Sequence, residues 1–265
     1  MPRMLQSRKV EALTAASALA VSGLAVVGTV SPATASTTAI IDGSTTYQRI
    51  SGFGASEAFG QASTVMNAPA ATQQRVLSLL YSRSGADLTI LRNEISADPG
   101  TTIEPDAPAS PSARPDYLPL SAIGQDQGQL WFAQQIKHRY GVTNVFADAW
   151  TAPAFMKTND ATDNGGTLCG VPGATCSSGD WRQAYANYLT QYTRDYAAAG
   201  IPLSYVGPEN EANLATSYDS MTLTPAQTAN RCGRRNGRRS RRGTRPGMTA
   251  PTPPGSPGLS TSTPV

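Results

Sequence analysis

The sequence predicts an α/β fold built on parallel strands, and three observations carry that reading. Strand-like and helix-like runs alternate through the middle of the chain, four of the first kind and three of the second. Glu94, Trp150 and Glu211 each fall just past the end of a strand-like run, which is where α/β folds collect reacting groups. With 265 residues, 39% apolar and 15% charged, the chain has material for one sizeable core, and an α/β barrel of about 250 residues fits. A doubly wound sheet satisfies the alternation equally well. No Gly-x-Gly-x-x-Gly or phosphate loop opens any helix, however, so a nucleotide site has no support.

The elements follow in order. Residues 45–51 are polar and β-prone, an early strand, and Gly52-Phe53-Gly54 takes the chain closely past a neighbour. Val76, Leu77, Leu79 and Leu80 recur at helical spacing behind Pro69, so a helix is expected over 70–82, stopped by Gly85. The apolar run 87–92 reads as a strand presenting Arg92, Asn93 and Glu94 at its far end. Prolines crowd 98–119, which makes that stretch a long loop, of the kind that is usually functional. A helix over 129–140 carries Leu130, Ala133, Ile136 and Lys137 on one side, Gly141 ends it, and 142–150 is the next strand.

The most regular helix spans 181–199. Trp181, Tyr185, Tyr188, Leu189, Tyr192 and Tyr196 recur at steps of three and four, Asp180 stands at the cap position and Gly200 closes the run, so the stripe reads as core packing. Residues 201–207 then form a strand that breaks at Gly207-Pro208 and delivers Asn210 and Glu211 into the following loop. An amide beside a carboxyl suits acid–base chemistry, because the amide holds a substrate hydroxyl without competing for the proton. The only histidine, His138, lies between Lys137 and Arg139 and reads as surface, leaving a histidine-based triad without a base.

Both ends differ in character from this middle. Arg3, Arg8 and Lys9 precede a mostly apolar run over 12–30 and then Pro32-Ala33-Thr34-Ala35-Ser36, which reads as a secretory signal over 1–35 rather than a membrane anchor. The mature protein is therefore expected to be soluble and exported, with no membrane attachment after cleavage. From Arg231, eight arginines (231, 234, 235, 238, 239, 241, 242 and 245) run without an acidic residue into a Pro/Ser/Thr/Gly stretch ending at Val265. Removing those eight charges takes the net charge from +3 to −5, so the basic balance belongs to 231–265 alone. That segment reads as disordered. It is open to three explanations: an arginine-rich arm for nucleic acid, a Pro/Thr-rich linker, or a reading frame lost near Asn230. The third fits an exported enzyme best, so no nucleic-acid partner is expected.

Cys169 and Cys176 enclose a short Gly-rich loop, and an exported protein can oxidise such a pair into a local disulfide. Two thiols with no nearby His or third Cys make a poor zinc set, so no metal is expected. Cys232 is left over.

Four stretches taken together, Gly52-Phe53-Gly54-Ala55-Ser56-Glu57-Ala58-Phe59, the run from Trp150 to Lys157, the loop from Leu168-Cys169-Gly170 to Ser178-Gly179-Asp180-Trp181, and Asn210-Glu211, resemble glycoside hydrolase family 30. The likeness covers roughly 40–229 and is nearest to secreted xylan-degrading members. It implies a (β/α)8 barrel, of which 36–230 would supply the first four βα units, and retaining hydrolysis of a β-linked plant cell-wall polysaccharide without cofactor or metal. It also implies Glu211 as acid/base, Asn210 as its substrate-binding neighbour and Trp150 in the sugar site. Arg92 and Glu94 are candidates to hydrogen-bond substrate hydroxyls, with a structural ion pair at a strand end as the competing reading.

Two positions depart from the family pattern. Ala212 replaces the usual Pro after the Asn-Glu pair, and no residue can be assigned as the seventh-strand nucleophile. The chain is therefore expected to be a truncated, inactive glycosidase. A non-catalytic secreted carbohydrate-binding protein is the alternative.

Overall fold

The computed structural model describes residues 42–230, which fall into two units divided between Arg49 and Ile50. The expected signal segment over 1–35 and the arginine-rich stretch from 231 lie outside the described residues. In the first unit Asp42 accepts hydrogen bonds from Ser44 N and Oγ and from Thr45 Oγ1, an Asx turn. The strand expected over 45–51 is absent: those residues are exposed and carry no ladder. Side-chain bonds at Asp42 offer the backbone an alternative to pairing, and a polar run has no face to bury.

The second unit is a four-stranded, all-parallel sheet in sequence order, β1 (Gly54–Ser56), β2 (Ile90–Ile95), β3 (Asn144–Ala149) and β4 (Tyr205–Gly207). Register runs from Gly54 opposite Ile90, through Ile90 opposite Asn144, to Phe146 opposite Tyr205. Six helices accompany it: α1 (Gln61–Met66), α2 (Ala70–Tyr81), α3 (Gly124–Gln127), α4 (Gln129–Tyr140), α5 (Arg182–Ala198) and α6 (Pro225–Asn230). The long helices α2, α4 and α5 lie within a residue of where the periodicity put them. Residues 98–119 contain no helix or strand, as their prolines require.

The strands start later than the apolar runs do, and each delay has a local cause. Gly54 opens β1 rather than a turn, because its backbone approaches Ile90 so closely that a Cβ would lie 2.5 Å from the Ile90 carbonyl oxygen. Asp87 adopts φ 49° and Leu88 N donates to Leu80 O, so the chain is still leaving α2 at residue 88. β2 therefore runs three residues further than expected: Arg92, expected as its last residue, is its third, and Asn93 and Glu94 lie inside the ladder instead of beyond it. Gly200 N and Ile201 N close α5 onto Ala197 O and Tyr196 O, which postpones β4 to Tyr205.

The core lies between the sheet and the helices. Leu91, Ile95, Val145, Ala147 and Ala149 face Leu77 and Tyr81 of α2, Phe132, Ala133 and Ile136 of α4, and the α5 tyrosines. The tyrosine stripe is buried as its spacing predicts, but its hydroxyls do more than pack. Tyr192 and Tyr196 both donate to Asp126 Oδ2 at 2.6 Å, and Gln129 Nε2 adds a third bond at 2.9 Å. Asp126 is fully enclosed, and burial pushes its carboxyl up to about 6 against these three donors. It sits in a run of left-handed backbone, with φ 56°, 56° and 53° at Gln125, Asp126 and Gln127.

Candidate functional site

An open cleft of about 610 Å³ is lined by Phe59, Arg92, Trp150, Asn210, Glu211 and Tyr218, which follow β1, β3 and β4 in the chain except for Arg92, on β2. All but Tyr218, which stands well past β4, are delivered by a short lead from the sheet. Arg92 projects from β2 itself, Trp150 follows the last residue of β3, and Asn210 N donates to Ala149 O at 2.8 Å, fastening the loop after β4 to the end of β3. Glu211 takes φ 50° and stands exposed at the rim.

A connected set of bonds joins these groups. Arg92 Nε donates to Asp148 Oδ2 at 2.7 Å, and Arg92 Nη2 donates to Asn210 Oδ1 at 2.6 Å. Asn210 Nδ2 in turn donates to Glu211 Oε2 at 3.1 Å. The Arg92 guanidinium also lies over the Trp150 ring, 4.5 Å from its centroid, and Phe59 meets that ring edge-on at 5.1 Å. Trp150 is consequently only 7% exposed, whereas Phe59 and Tyr218 are 52% and 49% exposed and offer the free aromatic surface.

Four of the residues picked from sequence thus converge: Arg92, Trp150, Asn210 and Glu211. Glu94 does not join them. It is buried, its Oε2 accepts from Phe59 N at 2.8 Å, and burial pushes its carboxyl up to about 7 against that bond. The ion pair at this strand end is Arg92 with Asp148, not with Glu94.

Sequence reasoning missed Phe59, Asp148 and Tyr218. Asp148 had a signal, since a lone acid on an otherwise apolar strand beside Arg92 needs a partner; Tyr218 had none. Lys157 was also passed over. Its buried ammonium donates to Thr162 O at 3.0 Å and to Ser220 O at 2.8 Å, holding the stretch that carries Tyr218, and burial lowers it to about 8.

Cys169 and Cys176 form a disulfide with their Cα atoms 5.6 Å apart. Asp180 accepts from Arg182 N at 3.1 Å, at the start of α5. Among the described residues no group of three His, Cys, Asp or Glu side chains is placed to hold a metal ion, and no helix is long and apolar enough to cross a membrane. A second hollow, of about 520 Å³, lies between the Pro-rich loop and α5 and includes Glu104 and Tyr117 but none of the residues picked from sequence.

Parallel strands with polar and aromatic groups gathered near their carboxyl ends define a site of the α/β class, shared by barrels and doubly wound sheets. Residues 50–231 match the glycosyl hydrolase family 30 TIM-barrel domain, and the chain belongs to that family. The four-stranded parallel sheet is thus part of a TIM barrel.

The catalytic domain of GH30 xylanase C from Talaromyces cellulolyticus is similar at 53% identity with a TM-score of 0.62, over 68% of this chain and 41% of that one. Lysosomal acid glucosylceramidase of Mus musculus is 27% identical over 185 residues, 67% of this chain and 34% of that protein. Endo-1,6-beta-D-glucanase BGN16.3 of Trichoderma harzianum is 24% identical over 190 residues, 66% of this chain and 37% of that protein. The chain spans about a third of the length of these two curated relatives.

Proposed function

We propose that this chain carries the acid/base half of a retaining glycosidase site for β-linked plant cell-wall polysaccharide, with xylan as the substrate and with no metal or cofactor. The observation that supports it best is the convergence of Glu211, Asn210, Arg92 and Trp150 on one cleft. Glu211 would protonate the departing glycosidic oxygen, Asn210 and Arg92 would hold ring hydroxyls, and Phe59 and Tyr218 would meet the apolar face of a sugar. The 53% identity to a xylanase favours xylan over other β-glycans. Work outside the cell is supported by the Cys169–Cys176 disulfide.

Retention needs a second carboxylate about 5 Å from the first to attack the anomeric carbon. Among the described residues Glu211 is the only carboxylate lining the cleft. That observation favours a second reading for this chain by itself, sugar binding without turnover. The test is an affinity gel containing glucuronoxylan run beside a reducing-sugar assay. Retardation without sugar release is the expected result. Sugar release abolished by Glu211→Gln would establish turnover, and neither retardation nor release would remove the saccharide reading.

A further inference from the structure

We propose that Asp148 is the positioning residue of this site: it sets the orientation of the Asn210 amide through Arg92, and thereby what the amide presents to Glu211. The inference rests on the reading of Glu211 as proton donor and adds a residue that neither the family match nor the sequence motifs single out. An Asn side chain carries an acceptor on one arm and a donor on the other, and its two orientations are nearly equal in shape. Only one of them gives Glu211 a donor. With Arg92 Nη2 at 2.6 Å, Asn210 must turn Oδ1 toward the guanidinium, which leaves Nδ2 facing Glu211 Oε2. Turned the other way, it would set an NH2 against a cation and an oxygen against a carboxyl oxygen.

Arg92 enforces this choice only if its own fork is held. Its side chain is long and 29% exposed, it lies on the same cleft as Glu211, and an unfixed guanidinium would pair with that carboxylate directly. Asp148 prevents this by engaging Nε at 2.7 Å while Trp150 supports the guanidinium at 4.5 Å. The seat for Asp148 is made by β4. Asp148 pairs in register with Gly207, and a Cβ on Gly207 would lie 1.5 Å from Asp148 Oδ1. The carboxyl therefore occupies the space a side chain at 207 would fill. One glycine on β4 and one acid on β3 thus form a unit that aims an amide three residues further along the chain.

This arrangement allows two unrelated substitutions to have one effect. Asp148→Asn weakens the grip on Arg92 with almost no change of shape, and Gly207→Ala displaces the same carboxyl without adding or removing a polar group. In the full chain labelled with 15N, the Arg92 Nε–H resonance and the Asn210 side-chain NH2 pair are followed in the wild type and both variants. Titration with xylohexaose is the second readout. The expected result is that Arg92 and Asn210 signals move together in either variant, that Glu211→Gln leaves the Arg92 signal in place, and that xylohexaose affinity falls about tenfold in both variants.

Movement of the Arg92 signal with an unmoved Asn210 pair would overturn the relay, because a purely structural ion pair behaves that way. An unmoved Arg92 signal in either folded variant would overturn it as well. Coupled shifts in a chain whose wild type ignores xylohexaose would uphold the positioning role and count against the saccharide reading instead. If one variant fails to fold, the other still decides.

Discussion

Two polar networks in this molecule use the same chemistry to opposite ends. Around Asp126, one carboxylate oxygen collects Tyr192, Tyr196 and Gln129 in a fully enclosed space. Around Arg92, a carboxylate, an amide and a second carboxylate are linked in series along the wall of an open cleft. In the first the donors converge on Oδ2, and burial closes off the unpartnered Oδ1 from any ligand in solution. In the second each bond fixes a group whose other face looks into the cleft. Convergence makes a structural hub, and a series makes a site.

Glu94 belongs to the first and touches the cleft only through the Phe59 backbone. Its main chain is bonded to Gln129 through N and O, at 2.7 and 2.9 Å, while its carboxylate holds Phe59 N on the cleft side.

The comparison breaks first at the hub. Asp126→Ala removes the acceptor that three buried donors share: Tyr192 and Gln129 keep Glu94 O, at 3.1 and 2.9 Å, while the Tyr196 hydroxyl loses its acceptor. Two lost bonds and one stranded hydroxyl are expected to cost about 3 kcal/mol in urea unfolding. If unfolding is unchanged, the convergent network is not what holds α4 and α5 to the sheet.

The next effect is on pH. Burial raises the carboxyls of Glu57, Glu94 and Glu104 to about 7 from 4.5, so the folded state keeps protons that the unfolded chain has released. Their contribution to stability is whole below about pH 4.5 and is lost as pH climbs to 7. Both Glu104 carboxyl oxygens lack a hydrogen-bond partner. Glu104→Gln is therefore expected to flatten the decline between pH 4.5 and 7 by up to about 3 kcal/mol, measured by thermal unfolding across that range.

The smallest effect is at the cleft. Tyr218→Ala removes a half-exposed ring and should weaken xylohexaose binding about tenfold while leaving the unfolding midpoint nearly in place. Equal losses of binding and stability would mean that the ring packs rather than presents.

Much of this was legible in the sequence where periodicity was strong and local. The stretches behind α2, α4 and α5 carry their apolar spacing and their stops within themselves. Strand limits were not legible in the same way, because a strand starts where a neighbour offers a ladder; the close approach of Gly54 to Ile90 and the turn at Asp87 belong to the fold, not to the run. Asn210, Glu211, Arg92 and Trp150 stood out by type and position. Asp148 did not, since its value comes from Arg92 on one side and an absent side chain at Gly207 on the other. Asp126 lies in an unremarked Gly-Gln-Asp-Gln stretch, and only three-dimensional proximity to two tyrosines gives it a role.

The left-handed run at Gln125, Asp126 and Gln127 carries one more implication. Side-chain-bearing residues in that conformation hold strain of about 1 kcal/mol or more apiece, which the bonds to Asp126 must outweigh. The segment therefore resembles a spring clip. Its tension offers a thermostabilising route through glycine at its two outer positions, where relief comes without loss of the carboxylate that the clip presses home.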